Sequence, residues 1–182
     1  MAIPDSMLYS AAIMTDSLPE IITRSVTDAD ASAISALHSR VFGPGRFVRS
    51  AYRVREGTAF ASPYCRAALI GERIVAALRH TTINIGGVPG GVMLGPLAVD
   101  PDFANLGYGR RLIAESLDMA KAHGEALVML VGDMAYYGRL GFQPVQPFGK
   151  FYLPGPADPT RVLALELVPG AVAGLAGLVT AR

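Results

Sequence analysis

The stretch from Val92 to Gly124 constrains the fold of this chain more than any other. Val92 to Val99 is an apolar run of strand length, and Asp100-Pro101-Asp102 stops it. Gly107 and Gly109 then open a segment in which Leu112, Ile113, Leu117 and Met119 recur at helical spacing. The order is strand, glycine-bearing loop, helix. A helix start carries unpaired N–H groups and the positive end of the macrodipole, which suits an anion such as a pyrophosphate. Glycine there lets a ligand approach the backbone and adopts positive φ without penalty. Arg110 and Arg111 add positive charge beside it.

Two common phosphate-binding patterns are excluded. A dinucleotide fingerprint needs a third glycine, and the third position after Gly109 is Leu112. No G-K-[ST] follows a glycine-rich loop, so there is no P-loop. Packing alone also explains two glycines before a helix.

The residues Ala104-Asn105-Leu106-Gly107-Tyr108-Gly109 resemble the pyrophosphate-binding motif Q/R-x-x-G-x-G/A of the GNAT family, the GCN5-related N-acetyltransferases. Both glycines match, and Ala104 stands where the family has Gln or Arg. A second block, Gly132-Asp133-Met134-Ala135-Tyr136-Tyr137-Gly138-Arg139-Leu140-Gly141-Phe142, resembles the family's FY-x-x-x-G-F segment. It is closer still to the G-D-x-x-Y-Y-x-R-x-G-F version of the YhbS-like branch. By the order of elements the resemblance runs from about Ile21 to about Val168.

The resemblance implies an α/β (α+β) GNAT fold. Its central sheet is mixed and mostly antiparallel, splayed between two parallel strands, with helices on both faces. Here those strands would be Val92 to Val99 and Ala126 to Val131, joined by a right-handed crossover. The implied cosubstrate is acetyl-CoA, with the acetyl group passing to a primary amine of a small molecule or peptide by direct attack in a ternary complex. The pantetheine arm would pair with backbone groups of Leu97, Ala98 and Val99, as a strand adds to a sheet edge. The pyrophosphate would sit on the amides of Asn105, Leu106, Gly107, Tyr108, Gly109, Arg110 and Arg111.

Tyr137 takes the position of the tyrosine that protonates the leaving thiolate. A phenol is still protonated at neutral pH and can donate. Tyr136 is expected to pack. Asp133, at the carboxyl end of a central strand, belongs with the cofactor site or caps the helix that follows. The alternative function is a GNAT-like module that binds acyl-CoA, or regulates, without turnover.

Composition narrows the rest. A length of 182 residues suits one domain over 21–182 behind an extension over 1–20. Apolar residues make up 51% and charged residues 17%, and the formal net charge is +1. No basic field argues for nucleic acid or an anionic membrane. Cys65 is the single cysteine, so no internal disulfide forms, and a reducing, cytoplasmic setting is expected. His38, His80 and His123 lack ligand spacing, so no metal site is expected. Met7 to Met14 is too short to span a membrane and has no basic residue ahead of it. In Val162 to Ala181, Pro169-Gly170 breaks an otherwise apolar run, which favours a strand and a short apolar tail over a membrane helix. That tail would cover its own sheet or the partner in a homodimer.

Along the chain, Ile21 to Val26 reads as a strand, and Ala33, Ile34, Leu37 and Val41 mark a helix ended by Gly43-Pro44-Gly45. Arg46 to Gly57 reads as a second helix with Phe47, Ala51 and Val54 on one face. Cys65 to Ile70 and Arg73 to Ile85 form an antiparallel pair, and Gly86-Gly87 and Pro89-Gly90-Gly91 read as turns. Met134 to Leu140 is a short helix. Phe142 to Val145 and a closing strand from Val162 to Val168 flank a loop rich in proline and glycine. Acceptor choice would lie with Gly43 to Pro63 and Pro147 to Pro159. There Arg46, Arg49, Arg53 and Arg55 either meet an acidic acceptor or line an exposed helix face.

Overall fold

The computed structural model describes residues 20–45 and 50–182. The expected extension before Glu20, and Arg46, Phe47 and Arg49 of the second helix, lie outside the described residues. β1 (Ile21–Ser25), β2 (Arg66–Ile70), β3 (Arg73–Ile85) and β4 (Val88–Val99) form an antiparallel meander. α1 (Ala31–Phe42) and the short α2 (Ser50–Val54) lie between β1 and β2. α3 (Tyr108–Ala122) crosses from β4 to β5 (Leu127–Val131), which runs parallel to β4. Next come α4 (Met134–Tyr137), β6 (Gln143–Pro144), β7 (Phe151–Tyr152), β8 (Val162–Glu166) and β9 (Gly177–Ala181).

The strand order is β1-β2-β3-β4-β5-β8-β6, and only β4–β5 and β7–β9 pair in parallel. The sheet is therefore mixed and mostly antiparallel, as expected. Side chains alternate across it. Ala77 and Ala98 cluster with Ile34 and Leu37 of α1. Ala76, Leu78, Val92 and Leu94 cluster with Leu112 and Ile113 of α3. Helices thus cover both faces.

Three details differ from the sequence reading. Pro89-Gly90-Gly91 is not a turn but the start of β4. Gly86 and Gly87, at φ 61° and 84°, make the two-residue turn, with Ile85 opposite Val88. Gly91 is glycine because a Cβ there would sit 2.1 Å from the Leu127 carbonyl oxygen. β8 does not close the sheet but lies between β5 and β6. The apolar tail forms β9, which pairs with β3 from Ile83↔Ala181 to Ile85↔Val179 and buries Val179. Its cover is its own sheet.

Candidate active site

β4 and β5 stay paired only at Val92↔Val128 and Met93↔Met129. Two features of β4 end the pairing. Gly95 and Pro96 together face the single residue Arg79 of β3, a bulge that bends the strand. Pro96 also has no N–H to offer a neighbour. β5 turns to its other side, where the Gly132 N–H donates to the Arg161 carbonyl at 2.9 Å. A cavity of about 720 Å³ lies where the strands part, bounded by the bulge, the end of β5, α4 and α2.

Beyond the bulge the phase of β4 is set by the Asp100 N–H, which donates to the Val75 carbonyl at 2.8 Å. Alternate residues of an antiparallel strand turn their polar groups to opposite sides. Ala98 therefore bonds toward β3, while the N–H and C=O groups of Leu97 and Val99 point to the open side. The side chains of Leu97 and Val99 lean on α3: a Cβ on Gly109 would lie 3.3 Å from Leu97 Cδ2 and 3.2 Å from Val99 Cγ2.

The loop into α3 takes two left-handed residues, Asn105 at φ 63° and Gly107 at φ 84°. The Arg111 N–H is the first of the helix to reach the carbonyl of Gly107, at 3.0 Å. The amides of Tyr108, Gly109 and Arg110 come before that bond, as donors in the first turn of any helix do. Tyr108 sends its ring into the core and Leu106 is exposed. Arg110 is exposed and takes part in none of the ion pairs among the described residues, whereas Arg111 is held by Glu115 at 3.1 Å. Glu115 also receives Arg66 and Thr23. Burial pushes its carboxyl up, but these hydrogen bonds outweigh that and hold it below its ordinary value.

Asp133 caps α4, its Oδ1 accepting from the Ala135 N–H at 2.9 Å, and it also borders the cavity. The cap aims the two tyrosines. The Tyr137 ring packs on Gly132 and meets Tyr136 and Phe142 edge-on, with centroids 4.9 and 5.9 Å away. Burial, then the neighbouring Tyr136, pushes the Tyr137 phenol up to about 12, so it stays protonated at neutral pH. Tyr136, expected to pack, is instead exposed. Its hydroxyl comes 3.6 Å from where a Gly109 Cβ would lie. Leu97, Tyr136 and Tyr137 thus border one cavity, and Gly109 at the start of α3 lies against Leu97 and the Tyr136 hydroxyl.

α2 supplies what the sequence left open. Arg53 is exposed, but Arg55 is only 6% exposed and borders the cavity. The bulge at Gly95-Pro96 was the unread signal, because glycine and proline inside a strand mark an irregularity. Among the described residues no group of His, Cys, Asp and Glu could hold a metal ion, and no helix is long and apolar enough to cross a membrane.

Residues 23–145 match the family described as acetyltransferase (GNAT) domain. A segment of 52 residues is 42% identical to YhbS of Escherichia coli strain K12, named as an uncharacterized N-acetyltransferase. It covers 29% of this chain and 31% of that protein. The aligned segment thus spans about a third of the curated relative. The fold match is far longer. The crystal structure of YhbS from Escherichia coli in complex with CoA superposes with a TM-score of 0.76 at 26% identity, over 92% of this chain and 93% of that one. A GNAT family acetyltransferase from Brucella melitensis in complex with acetyl-CoA shares the fold, with a TM-score of 0.60 at 24% identity over 81% and 96% of the chains. With the family matched over 23–145 and its splayed-strand fold in place, the chain belongs to the GNAT family of acetyltransferases, in the YhbS-like branch.

Proposed function

We propose that this protein is an acetyl-CoA-dependent N-acetyltransferase that acts on a primary amine by direct attack in a ternary complex. One observation carries the reading: Leu97 on the unpaired edge of β4 and Tyr137 border the same cavity, and Gly109 at the start of α3 lies against that edge. The relative YhbS, crystallised with CoA, supports the same ligand here. When bound, acetyl-CoA supplies an acetyl group activated as a thioester.

The chain's own residues then have separable tasks. Leu97 and Val99 offer backbone groups to the pantetheine amides, while Ala98 keeps its own for β3. The amides from Asn105 to Arg110 take the pyrophosphate, the Arg111 amide being spent on the Gly107 carbonyl, and Arg110 adds an exposed positive charge beside them. Gly109 keeps the helix start close to β4. The Tyr137 hydroxyl donates the proton that the departing sulfur needs, and Asp133 holds the helix that carries it. Bringing two reactants together in one cleft is worth up to ~7–11 kcal/mol.

A second reading, a CoA-binding module without turnover, rests on Ala104, which has no side chain to offer a phosphate. A melting curve with acetyl-CoA, CoA and ATP tests the first step. At about 100 times the dissociation constant, acetyl-CoA stabilises by ~2.7 kcal/mol, a rise of roughly 5–10 °C. A shift with both CoA species and none with ATP is expected. Thiol release with amines then separates enzyme from module, and no shift at millimolar acetyl-CoA removes both readings.

A further inference from the structure

Arg55 is a cation in a place where a cation is costly. It is 94% buried by its 6% exposure. None of the ion pairs among the described residues includes it. Its Nη1 donates to the Ala51 carbonyl at 2.7 Å, and its guanidinium lies 5.9 Å from the Tyr52 ring centroid. Its Nε has no hydrogen-bond partner. Burial, then the charge of Arg79, pushes it down to about 9. A buried charge without a counter-charge destabilises a fold, and such groups gather at sites that bind or react.

Where it points is equally specific. Nη2 comes 3.4 Å from where a Cβ on Gly95 would lie, so the guanidinium sits at the β4 bulge. It borders the cavity, as do Gly95, Pro96 and Tyr137. The carboxylates that share the cavity wall are already used. Asp133 caps α4 and Asp158 caps the turn at Thr160, both exposed. An amine reaching the bulge therefore meets a buried positive charge within a few ångström, and a bare ammonium is repelled there.

We propose that Arg55 binds a carboxylate of the acceptor, and that the acceptor is an amino acid acetylated on its α-amine. This rests on the acetyl-transfer reading above. In an α-amino acid the amine nitrogen and the carboxylate carbon are two bonds apart, about 2.5 Å, so one group can face Arg55 while the other faces the bulge. A guanidinium binds a carboxylate in a planar fork, which also orients the amine. In the reaction the ammonium gives up two protons as the N–C bond forms and the C–S bond breaks. One proton ends on the sulfur through Tyr137, and the other is released to solvent.

The test uses the whole protein with saturating acetyl-CoA. Thiol release is measured for amino acids, their decarboxylated amines and their carboxamides. In parallel, melting curves with CoA record the shift given by N-acetyl amino acids and by the matching N-acetyl amines. The carboxylate-bearing member should lead by about 100-fold in kcat/KM. Arg55→Gln should cost about 10- to 100-fold for amino acids, chiefly in KM, and erase the N-acetyl amino acid shift. It should leave the acetyl-CoA shift intact, and Arg55→Lys should recover part of the loss. Arg55→Met, which removes the buried charge while filling its space, should melt no lower than wild type. Decarboxylated amines used equally well, or an acetyl-CoA shift lost in Arg55→Gln, would overturn the inference. If acetyl-CoA itself gives no shift and no thiol appears, the acetyl-transfer reading falls. A carboxylate-dependent shift that needs Arg55 would then still support a carboxylate site, and its absence would refute it.

Discussion

Tyr137 rests directly on Gly132: a Cβ at residue 132 would come 2.5 Å from Tyr137 Cε2. Such an approach is impossible for a real side chain, so Gly132→Ala must move the ring, which is also wedged between Tyr136 and Phe142. We expect Gly132→Ala to lose about 1–3 kcal/mol of stability through overpacking. Tyr137→Phe keeps the ring and should melt close to wild type, yet lower kcat about 10²-fold with little change in acetyl-CoA binding. Steady-state kinetics beside melting curves separate the two. A Tyr137→Phe enzyme with unchanged kcat would remove the hydroxyl from the mechanism.

Gly107 and Gly109 are both glycines of the α3 start, for different reasons. Gly107 has φ 84° and nothing within 4 Å of a Cβ. Gly107→Ala should therefore cost about 1–2 kcal/mol of backbone strain, seen as a melting point lower by roughly 2–8 °C. At Gly109 the Cβ meets Val99 and Leu97 at 3.2 and 3.3 Å, beside the strand edge that faces the cleft. Gly109→Ala should raise the acetyl-CoA dissociation constant by about tenfold, a cost of ~1.4 kcal/mol. Calorimetric titration with CoA reads this. Equal effects of the two substitutions on CoA affinity would contradict the distinction.

His80 makes the fold sensitive to acid. Burial pushes it down to about 3, against a weaker opposing hydrogen bond at the Tyr64 backbone and with a smaller downward push from the charge of Arg55. The unfolded chain takes up this proton near pH 6.5, and the folded chain does not. Stability from this group is thus complete above pH 6.5 and is lost as pH falls toward 3. Between pH 6.5 and 5 the loss reaches about 2 kcal/mol. The carboxylates held below their ordinary values, Asp30, Asp100 and Glu115, begin to lose their contribution only at lower pH. Melting curves from pH 7 to 5 should slope downward in wild type and flatten in His80→Gln.

Asp100 ties three elements together. Its carboxylate receives Arg40 of α1 and, at 2.6 Å, Arg73 of β3, at the end of β4. Asp100 is 2% exposed, while the two arginines are about half exposed. Burial pushes the carboxyl up, but the Arg73 hydrogen bond, the Asp102 amide and both positive charges hold it below its ordinary value. Removing the buried partner is the larger loss. Asp100→Ala should cost about 3 kcal/mol, and each arginine-to-alanine change about 1 kcal/mol or less. Denaturant titrations of the two single arginine variants and their double should show non-additivity of at least about 0.5 kcal/mol.

Much of this was readable in the sequence, where local chemistry decides. The apolar run at Leu127–Val131 and the periodic α3 carry their own periods, and Asp133 announces a cap two residues before the Ala135 amide it accepts from. What was not readable depends on partners distant in the chain. Gly90 and Gly91 look like turn residues, and only the Leu127 carbonyl explains why Gly91 must be glycine inside β4. β9 follows a stretch broken by Pro169-Gly170, and it becomes a strand because β3 extends beyond β2 and leaves Ile83 to Ile85 to pair. The site divides the same way. The glycines and tyrosines stood in recognisable order. The phase that opens Leu97 and Val99 but not Ala98 follows from the bulge, and the burial of Arg55 follows from how α2 lies against it.

The parting of β4 from β5 has a further consequence. Sheet edges normally lie at the rim, where charges, bulges or short strands discourage strangers from adding on. Here an edge is opened in the middle of the sheet, between apolar side chains, with the polar groups of Leu97 and Val99 turned outward. Any extended chain that fits the gap can zip onto it. The parting thus also leaves an unpaired stretch of β4 open to another extended chain, and on the proposed function a ligand lying along β4 would guard against misassembly as well as react.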